Sequence, residues 1–137
     1  MEDTEIEEFL TRFIREMAAW ERFAESELAR VERGELLLNE SRRNVSTELE
    51  KIATNYCDPE RIDTKKSSFS TTPRYDEQTI ESVAHENSVF VVETQTELSS
   101  GGIQRFRYEI ESVDGKQRIV DRRYFSASRK SWIQTSI

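Results

Sequence analysis

The 137-residue sequence is poor in the residues that cross-link chains or hold metals. It contains one cysteine, one histidine, two prolines and four glycines. A single cysteine excludes an internal disulfide, and one cysteine with one histidine argues against a zinc site of the Cys/His type. A chain of this length can bury on the order of two thirds of the surface that it exposes when unfolded, so it can fold without a disulfide or a metal ion. We therefore expect no metal and no cofactor.

Sequence motifs of the common nucleotide, zinc and hydrolase sites are also missing. The chain has no GxxxxGK[ST], GxGxxG, HExxH or GxSxG motif. No apolar run approaches the roughly 18 residues needed to span a bilayer. The acidic start, Met1 to Glu8, is the opposite of a basic signal-peptide start. These absences predict a cytoplasmic protein that does not bind membranes.

Acidic side chains outnumber basic ones, and the excess lies in the first part of the chain. The formal net charge is −7, and residues 1–60 carry 16 acidic and 8 basic side chains, against 11 and 12 in residues 61–137. An acidic surface repels phosphate backbones and gains no counterion release from them, so we expect no nucleic-acid partner. A basic protein would be attracted instead.

Apolar residues recur at steps of three and four in the first part of the chain, which predicts two amphipathic helices. The first covers about Thr4 to Arg33, with Gly34 as the residue that closes it. The second covers about Asn39 to Asn55 and ends before Asp58-Pro59. The same spacing would suit a dimer seam. If the long first helix overhangs the sheet, Trp20 and Phe23 would be exposed unless another chain covers them, so a homodimer is an alternative.

From Thr79 onward the apolar period changes from 3.6 to 2. This predicts strands at about 79–86, 88–98, 103–113, 117–126 and 131–136, after a polar loop over 60–76 that could include a short strand around Phe69. Asp114-Gly115 predicts a two-residue hairpin, because both residues tolerate the positive φ of a type I′ turn. The expected organisation is a single α+β domain over 1–137, helical over 4–56 and a sheet over 67–137.

The hairpin at Asp114-Gly115 also predicts which residues oppose each other. Across it we expect the pairs Ile110 with Ile119, Tyr108 with Asp121, Phe106 with Arg123, and Glu111 with Arg118. In the preceding hairpin we expect Phe90, Val92 and Thr94 opposite Ile110, Tyr108 and Phe106. One sheet face is then apolar and should receive the helices, while the reverse face is charged and should meet water or a partner. The charged face carries Glu93, Gln95, Glu97, Arg105, Arg107, Glu109 and Glu111.

Asp121 is the main candidate for chemistry in this arrangement. It is expected on the apolar face, opposite Tyr108 and two positions from Arg123, where a carboxylate could act as a general acid or base. The predicted pocket comprises Asp121, Tyr108, Arg123, Phe106 and Phe90. Alternatively, Asp121 is neutralised by Arg123 or Tyr108 and completes a buried polar network. His85 is expected at the surface or at a strand end, and Cys57 is expected to be a small apolar filler.

Several segments resemble the nuclear-transport-factor-2-like superfamily. They are Arg74-Tyr75-Asp76, Ile80-Glu81-Ser82-Val83, Val89-Phe90-Val91-Val92-Glu93-Thr94, Phe106-Arg107-Tyr108 and Val113-Asp114-Gly115-Lys116-Gln117-Arg118-Ile119. The resemblance covers roughly residues 36–137 and implies a cone in which N-terminal helices pack in the concave face of a curved antiparallel sheet. Within the superfamily the chain looks most like bacterial immunity proteins, which are encoded beside toxins and bind them.

The same cone hosts isomerases, dehydratases and cyclases, so the fold alone does not decide the function. Because a catalytic set is missing, we expect a non-enzymatic module that binds a protein, most concretely a basic toxin domain. The partner surface is expected at Glu93, Glu97, Arg105, Arg107 and Glu109. The alternative is a small-molecule-binding protein or enzyme that uses a pocket inside the cone, with Asp121 and Tyr108 as its polar groups.

Overall fold

The computed structural model describes residues 3–64, 75–98 and 100–137. Two helices precede a short 3-10 helix and a five-stranded sheet, the α+β arrangement predicted from the sequence. The elements are α1 (Asp3–Glu32), α2 (Leu38–Tyr56), the 3-10 helix (Tyr75–Glu77), β1 (Thr79–Glu86), β2 (Val89–Glu97), β3 (Ile103–Val113), β4 (Lys116–Ser126) and β5 (Ser131–Gln134). The predicted bounds of the two helices and of the five strands from Thr79 onward differ from these by at most two residues. The predicted short strand around Phe69 lies outside the described residues.

The two helices form a hairpin, and Gly34 terminates α1 at the start of the connection. Gly34 has a φ of +74°, and the backbone N–H groups of Gly34 and Glu35 donate to the carbonyls of Val31 and Arg30. This is the Schellman pattern, which is accessible to glycine because that backbone conformation is strained in other residues. The predicted helix end at Gly34 is therefore confirmed.

The aromatic residues in the middle of α1 are covered by α2. Trp20 is only 4% exposed, and its Nε1 donates a 2.9 Å hydrogen bond to the carbonyl of Val45. Phe23 is partly buried against the same core. Trp20 therefore needs no second chain to cover it, whereas Phe23 keeps part of its surface exposed.

The five strands form one antiparallel sheet in sequential order, β1-β2-β3-β4-β5. Phe90 lies opposite Ile110, Val92 opposite Tyr108, and Thr94 opposite Phe106, as predicted. Asp114 and Gly115 form the two-residue turn, with φ values of +51° and +80°. Beside that turn, the predicted pairs of Ile110 with Ile119 and Glu111 with Arg118 are also confirmed.

A β-bulge in β4 changes the register beyond Ile119. Ile119 opposes Ile110, but Asp121 opposes Glu109, so Val120 is an extra residue in β4. The predicted pairs of Tyr108 with Asp121 and Phe106 with Arg123 are therefore wrong. The observed pairs are Tyr108 with Arg122 and Phe106 with Tyr124. Because of this bulge, buried and exposed residues do not alternate along β4, and Ile119 and Val120 are buried in succession.

The hydrophobic core lies between α1 and one face of the sheet, here called the inner face. The core residues of α1 include Ile6, Leu10, Phe13 and Met17, and the inner face contributes Val92, Tyr108, Ile110 and Ile119. All eight of these side chains are fully buried. The opposite, outer face of the sheet is left uncovered by the helices.

Candidate protein-binding surface

The predicted pocket residues on the inner face are packed into the core. Tyr108, Phe106 and Phe90 are 0%, 4% and 6% exposed. The Phe13 ring meets the Tyr108 ring edge to face, with centroids 6.2 Å apart. Phe13 makes a similar contact with Tyr75 at 5.9 Å. The side chains of α1 and the 3-10 helix therefore fill the space above Tyr108.

Arg122 occupies the inner-face position at which Asp121 was expected. Its Nε donates to the hydroxyl of Tyr108 at 3.2 Å, and its Nη1 donates to the carbonyl of Ser136 at 2.8 Å. Its guanidinium also lies 4.3 Å from the centre of the Phe106 ring and 4.9 Å from that of Tyr75. Sequence reasoning missed this residue because an unbulged strand would have turned it outward.

A small polar network surrounds Tyr108. The Oε1 atom of Gln78 accepts hydrogen bonds from the hydroxyls of Thr94 and Tyr108, both at 2.9 Å. Burial raises the pKa of the Tyr108 phenol, although Arg122 and Gln78 act in the opposite direction. Tyr108 thus stays a neutral phenol that donates one hydrogen bond and accepts another. It takes the structural role that the buried-network alternative assigned to Asp121.

Asp121 lies on the outer face and is bound by two neighbours. It accepts a 2.7 Å hydrogen bond from Nε of Arg123 and a 3.1 Å hydrogen bond from Nε2 of Gln134. The hydrogen bond and the charge of Asp121 raise the pKa of Arg123. Asp121 is only 6% exposed, and both of its oxygens are bound: Oδ2 by Arg123 within β4, and Oδ1 by Gln134 of β5, which joins the two strands. The expected pairing of Asp121 with Arg123 is therefore present, but on the face opposite to the predicted pocket.

The outer face carries the charged residues that were predicted for it. Glu93, Arg107 and Glu109 share this face through the register of β2 with β3, and the alternation also places Glu97 and Arg105 there. Arg107 and Glu93 oppose each other with 3.8 Å between Nη2 and Oε1. That separation is long for a charge-assisted hydrogen bond. Among the residues that the structure describes, the charges of this face are thus only partly paired.

Two aromatic rings lie beside these arginines. Phe125 of β4 opposes Trp132 of β5, and their rings meet edge to face at 5.5 Å. The Arg105 guanidinium lies 4.7 Å from the centre of the Phe125 ring, and that of Arg107 lies 4.8 Å from the Trp132 ring. We call Arg105, Arg107, Phe125 and Trp132 the arginine–aromatic patch. Sequence reasoning missed Phe125 because an unbulged β4 would place it, like Asp121, on the inner face. The bulge moves both residues to the outer face.

The remaining sequence candidates show no catalytic surroundings. His85 is exposed and stacks flat on Phe90, with ring centroids 4.3 Å apart. Cys57 is buried, and burial raises the pKa of its thiol to about 12. Such a thiol is protonated at neutral pH and is a poor nucleophile. Within residues 3–64, 75–98 and 100–137, no group of three His, Cys, Asp or Glu side chains could hold a metal ion.

In the described part of the chain, two clefts lie on the helical side. One of about 570 Å³ is lined by residues of α1 and α2, among them Trp20, Phe23 and Lys51. Another of about 620 Å³ lies beside α2, where Leu49, Ala53 and Pro59 contribute to its walls. Neither cleft is lined by a residue of the predicted pocket. In the described part of the chain, no helix is long and apolar enough to cross a membrane.

Comparison with known protein families gives one match that covers nearly the whole chain. A family model described as "NTF2 fold immunity protein" matches residues 5–136. No curated protein and no solved structure matches the chain significantly. The matched range includes α1 from Glu5 onward, the whole of α2 and the five strands β1 to β5.

Proposed function

The chain belongs to the family of immunity proteins with the NTF2 fold, and from this membership we propose that it binds a cognate toxin and neutralises it without catalysing a reaction. The single observation that carries the proposal is the family match over residues 5–136. The toxin is a protein partner, and its binding needs no cofactor from this chain. We further propose that the complex forms in the cytoplasm.

The packing inside the cone supports a binding role over an enzymatic one. An enzyme of this fold needs a pocket, and ligand pockets are usually about 300–1,000 Å³ in volume. The inner-face residues Phe90, Val92, Tyr108 and Ile119 are at most 6% exposed and pack in one core with Phe13 and Met17. Asp121, the proposed acid or base, lies on the other face of the sheet. Among the described residues, the close packing around Tyr108 and the outward position of Asp121 both argue against the enzyme alternative.

The outer face of the sheet is the proposed contact surface. It carries Glu93, Glu97, Arg105, Arg107 and Glu109, and none of these is covered by α1 or α2. Specific interfaces combine aromatic and arginine anchors with a polar rim. The arginine–aromatic patch and the glutamates around it have this composition.

Charge gives the acidic helical part a separate role in the proposal. Residues 1–60 carry twice as many acidic as basic side chains, so their field attracts a basic toxin domain over distances of about one Debye length. Attraction of this kind raises the association rate, whereas the contact surface determines how slowly the complex dissociates. Added salt should therefore lower the association rate, which depends on the acidic charge, more than it changes the dissociation rate, which depends on the contact surface.

The test uses the C-terminal domain of the protein encoded beside this chain's gene. Bacterial cells expressing that domain are grown with and without this chain, and the two purified proteins are titrated by calorimetry. We expect growth to be rescued and a 1:1 complex to form. We also expect the association rate to fall at least about tenfold between about 50 mM and 500 mM salt. If the domain is toxic but this chain neither rescues growth nor binds, the proposal is wrong.

A further inference from the structure

Two arginines of the outer face lie over the same indole ring. The guanidinium carbons of Arg105 and Arg107 are 5.6 Å and 4.8 Å from the centre of the Trp132 ring. Both residues come from β3, two positions apart, so they point to the same face of the sheet. Two like charges are thus held close together by a ring that cannot neutralise either of them.

Neither arginine has a good carboxylate partner in the described part of the chain. Arg105 makes no ion pair there, and the nearest carboxylate oxygen to Arg107 is 3.8 Å away. The Nε–H of Arg107 is also buried and has no hydrogen-bond partner among the same residues. By contrast, Arg123 on the same face is bound to Asp121 at 2.7 Å. A buried donor without a partner is costly. Because this Nε is hidden from solvent, an oxygen acceptor supplied from outside would bind the terminal N–H groups of the same guanidinium, which belongs to a side chain that is 36% exposed.

The geometry of the patch suits a carboxylate with an apolar neighbour. A guanidinium stacked on a ring keeps its N–H edge free, and that edge matches the two oxygens of a carboxylate. The rings of Phe125 and Trp132 offer apolar area beside it. A polyphosphate chain would also meet Glu93, Glu97 and Glu109 on the same face, and their charges would repel it. A single carboxylate can avoid these glutamates.

We propose that the arginine–aromatic patch is the hot spot of the toxin-binding surface, and that it receives one Asp or Glu side chain of the toxin together with an adjacent apolar side chain. This inference rests on the proposed function. It implies that a toxin attracted by its overall basic charge presents an acidic residue at the centre of the contact. Trp and Arg are the residue types most enriched at such centres.

The test compares two substitutions that change the net charge equally. Arg105→Glu lies in the patch, whereas Arg42→Glu lies on α2, where Arg42 is exposed. Binding of the neighbouring-gene toxin domain is measured by calorimetry, and folding of each variant by circular dichroism. We expect Arg105→Glu to weaken binding roughly 30-fold or more and Arg42→Glu to weaken it by less than about threefold. Arg107→Met and Trp132→Leu should also weaken binding more than Arg42→Glu.

The acidic residue on the toxin is then identified by charge exchange. Each Asp and Glu of the toxin domain is replaced by Lys, and each variant is titrated against Arg105→Glu. One replacement should bind Arg105→Glu at least about tenfold more tightly than the unmodified toxin domain does, since it recreates an opposite-charge pair. If no replacement does so, the toxin carboxylate is excluded.

Other outcomes separate the failure of the inference from the failure of the proposed function. If the unmodified chain binds the toxin domain and Arg105→Glu binds equally well, the patch is not the hot spot, although the immunity function stands. If the unmodified chain does not bind, both proposals fall. A fluorescent single-stranded oligonucleotide of about 12 nucleotides serves as a further probe. Binding that is lost in Arg105→Glu would overturn the carboxylate assignment in favour of nucleic acid.

Discussion

The guanidinium of Arg122 lies opposite Tyr108 across β3 and β4, and its Nε donates a 3.2 Å hydrogen bond to the Tyr108 hydroxyl. Three aromatic rings surround this guanidinium, at 4.3 Å to Phe106, 4.9 Å to Tyr75 and 5.5 Å to Tyr108. Burial alone would lower the pKa of Arg122, but its interactions with Tyr108 and Tyr75 raise it overall. A charged arginine is thus part of the protein core.

We predict that Arg122→Met lowers the free energy of unfolding by about 3 kcal/mol. The substitution keeps the apolar stem but removes the donors to Tyr108 and to the carbonyl of Ser136, so buried oxygens lose their partners. Urea unfolding followed by circular dichroism measures the change. Arg42→Met, at an exposed position of α2, is the control and should change stability by less than about 0.5 kcal/mol. Equal effects of the two substitutions would contradict the structural role of Arg122.

Sequence pattern predicts this fold well where strands alternate without interruption. In β2 and β3 the apolar residues Phe90, Val92, Tyr108 and Ile110 recur at every second position, and their pairing was predicted correctly. The two-residue turn at Asp114-Gly115 then fixes the pairing as far as Ile119. Local signals were sufficient for this part of the sheet.

The candidate surface was predicted only in part, because one extra residue reverses every later side chain of β4. Asp121 and Arg123 move from the inner to the outer face, and Arg122 moves inward. The glutamates and arginines of β2 and β3 precede the bulge, so their face was predicted correctly. The adjacent apolar residues Ile119-Val120 were not a sufficient signal, because β2 places Phe90, Val91 and Val92 in succession and still pairs with β3 without a bulge. The helical spacing predicts that Trp20 lies on the apolar face of α1, but it does not tell whether α2 or a second chain covers the ring.

Gly115 provides a prediction about the hairpin that joins β3 and β4. Its φ of +80° is strained for residues with a Cβ atom, so Gly115→Ala should lower stability by about 1–2 kcal/mol. Gly102→Ala is the matched control, because Gly102 has no positive φ and an added Cβ would meet its nearest atoms at 3.9 Å. Thermal unfolding of both variants measures the difference. A control as destabilised as Gly115→Ala would show that the backbone conformation is not the cause.

Trp20 provides a prediction about the contact between the helices. Trp20→Phe removes the donor to the carbonyl of Val45 and leaves a small space, and we expect a loss of about 2 kcal/mol. Leu37→Ala is the control at the tip of the hairpin, where Leu37 is 69% exposed and caps α2 without a side-chain hydrogen bond. It should change stability by less than about 0.5 kcal/mol. Sedimentation of the same variants tests the homodimer alternative. If Leu37→Ala dissociates a dimer, the exposed leucines rather than the aromatics hold two chains together.

Cys57 provides a prediction about alkaline pH. Burial raises the pKa of its thiol from 9.0 to about 12, although Arg118 and Arg122 act to lower it. Because the folded pKa is the higher one, the thiol contributes stability below pH 9.0, and this contribution is lost as the pH rises from 9.0 towards 12. The unfolding free energy should therefore fall by about 1.4 kcal/mol for each pH unit over most of that range.

Cys57→Ala tests this effect. The buried phenols of Tyr75 and Tyr108 remain in both proteins, and their raised pKa values are caused mainly by burial and only secondarily by Cys57. Between pH 8 and pH 10, the unmodified protein should lose about 1 kcal/mol more stability than Cys57→Ala. Alkylation by iodoacetamide gives an independent measurement. The thiol should react slowly in the native protein at pH 8 and rapidly in urea, whereas fast native alkylation would mean that Cys57 is accessible and ionised.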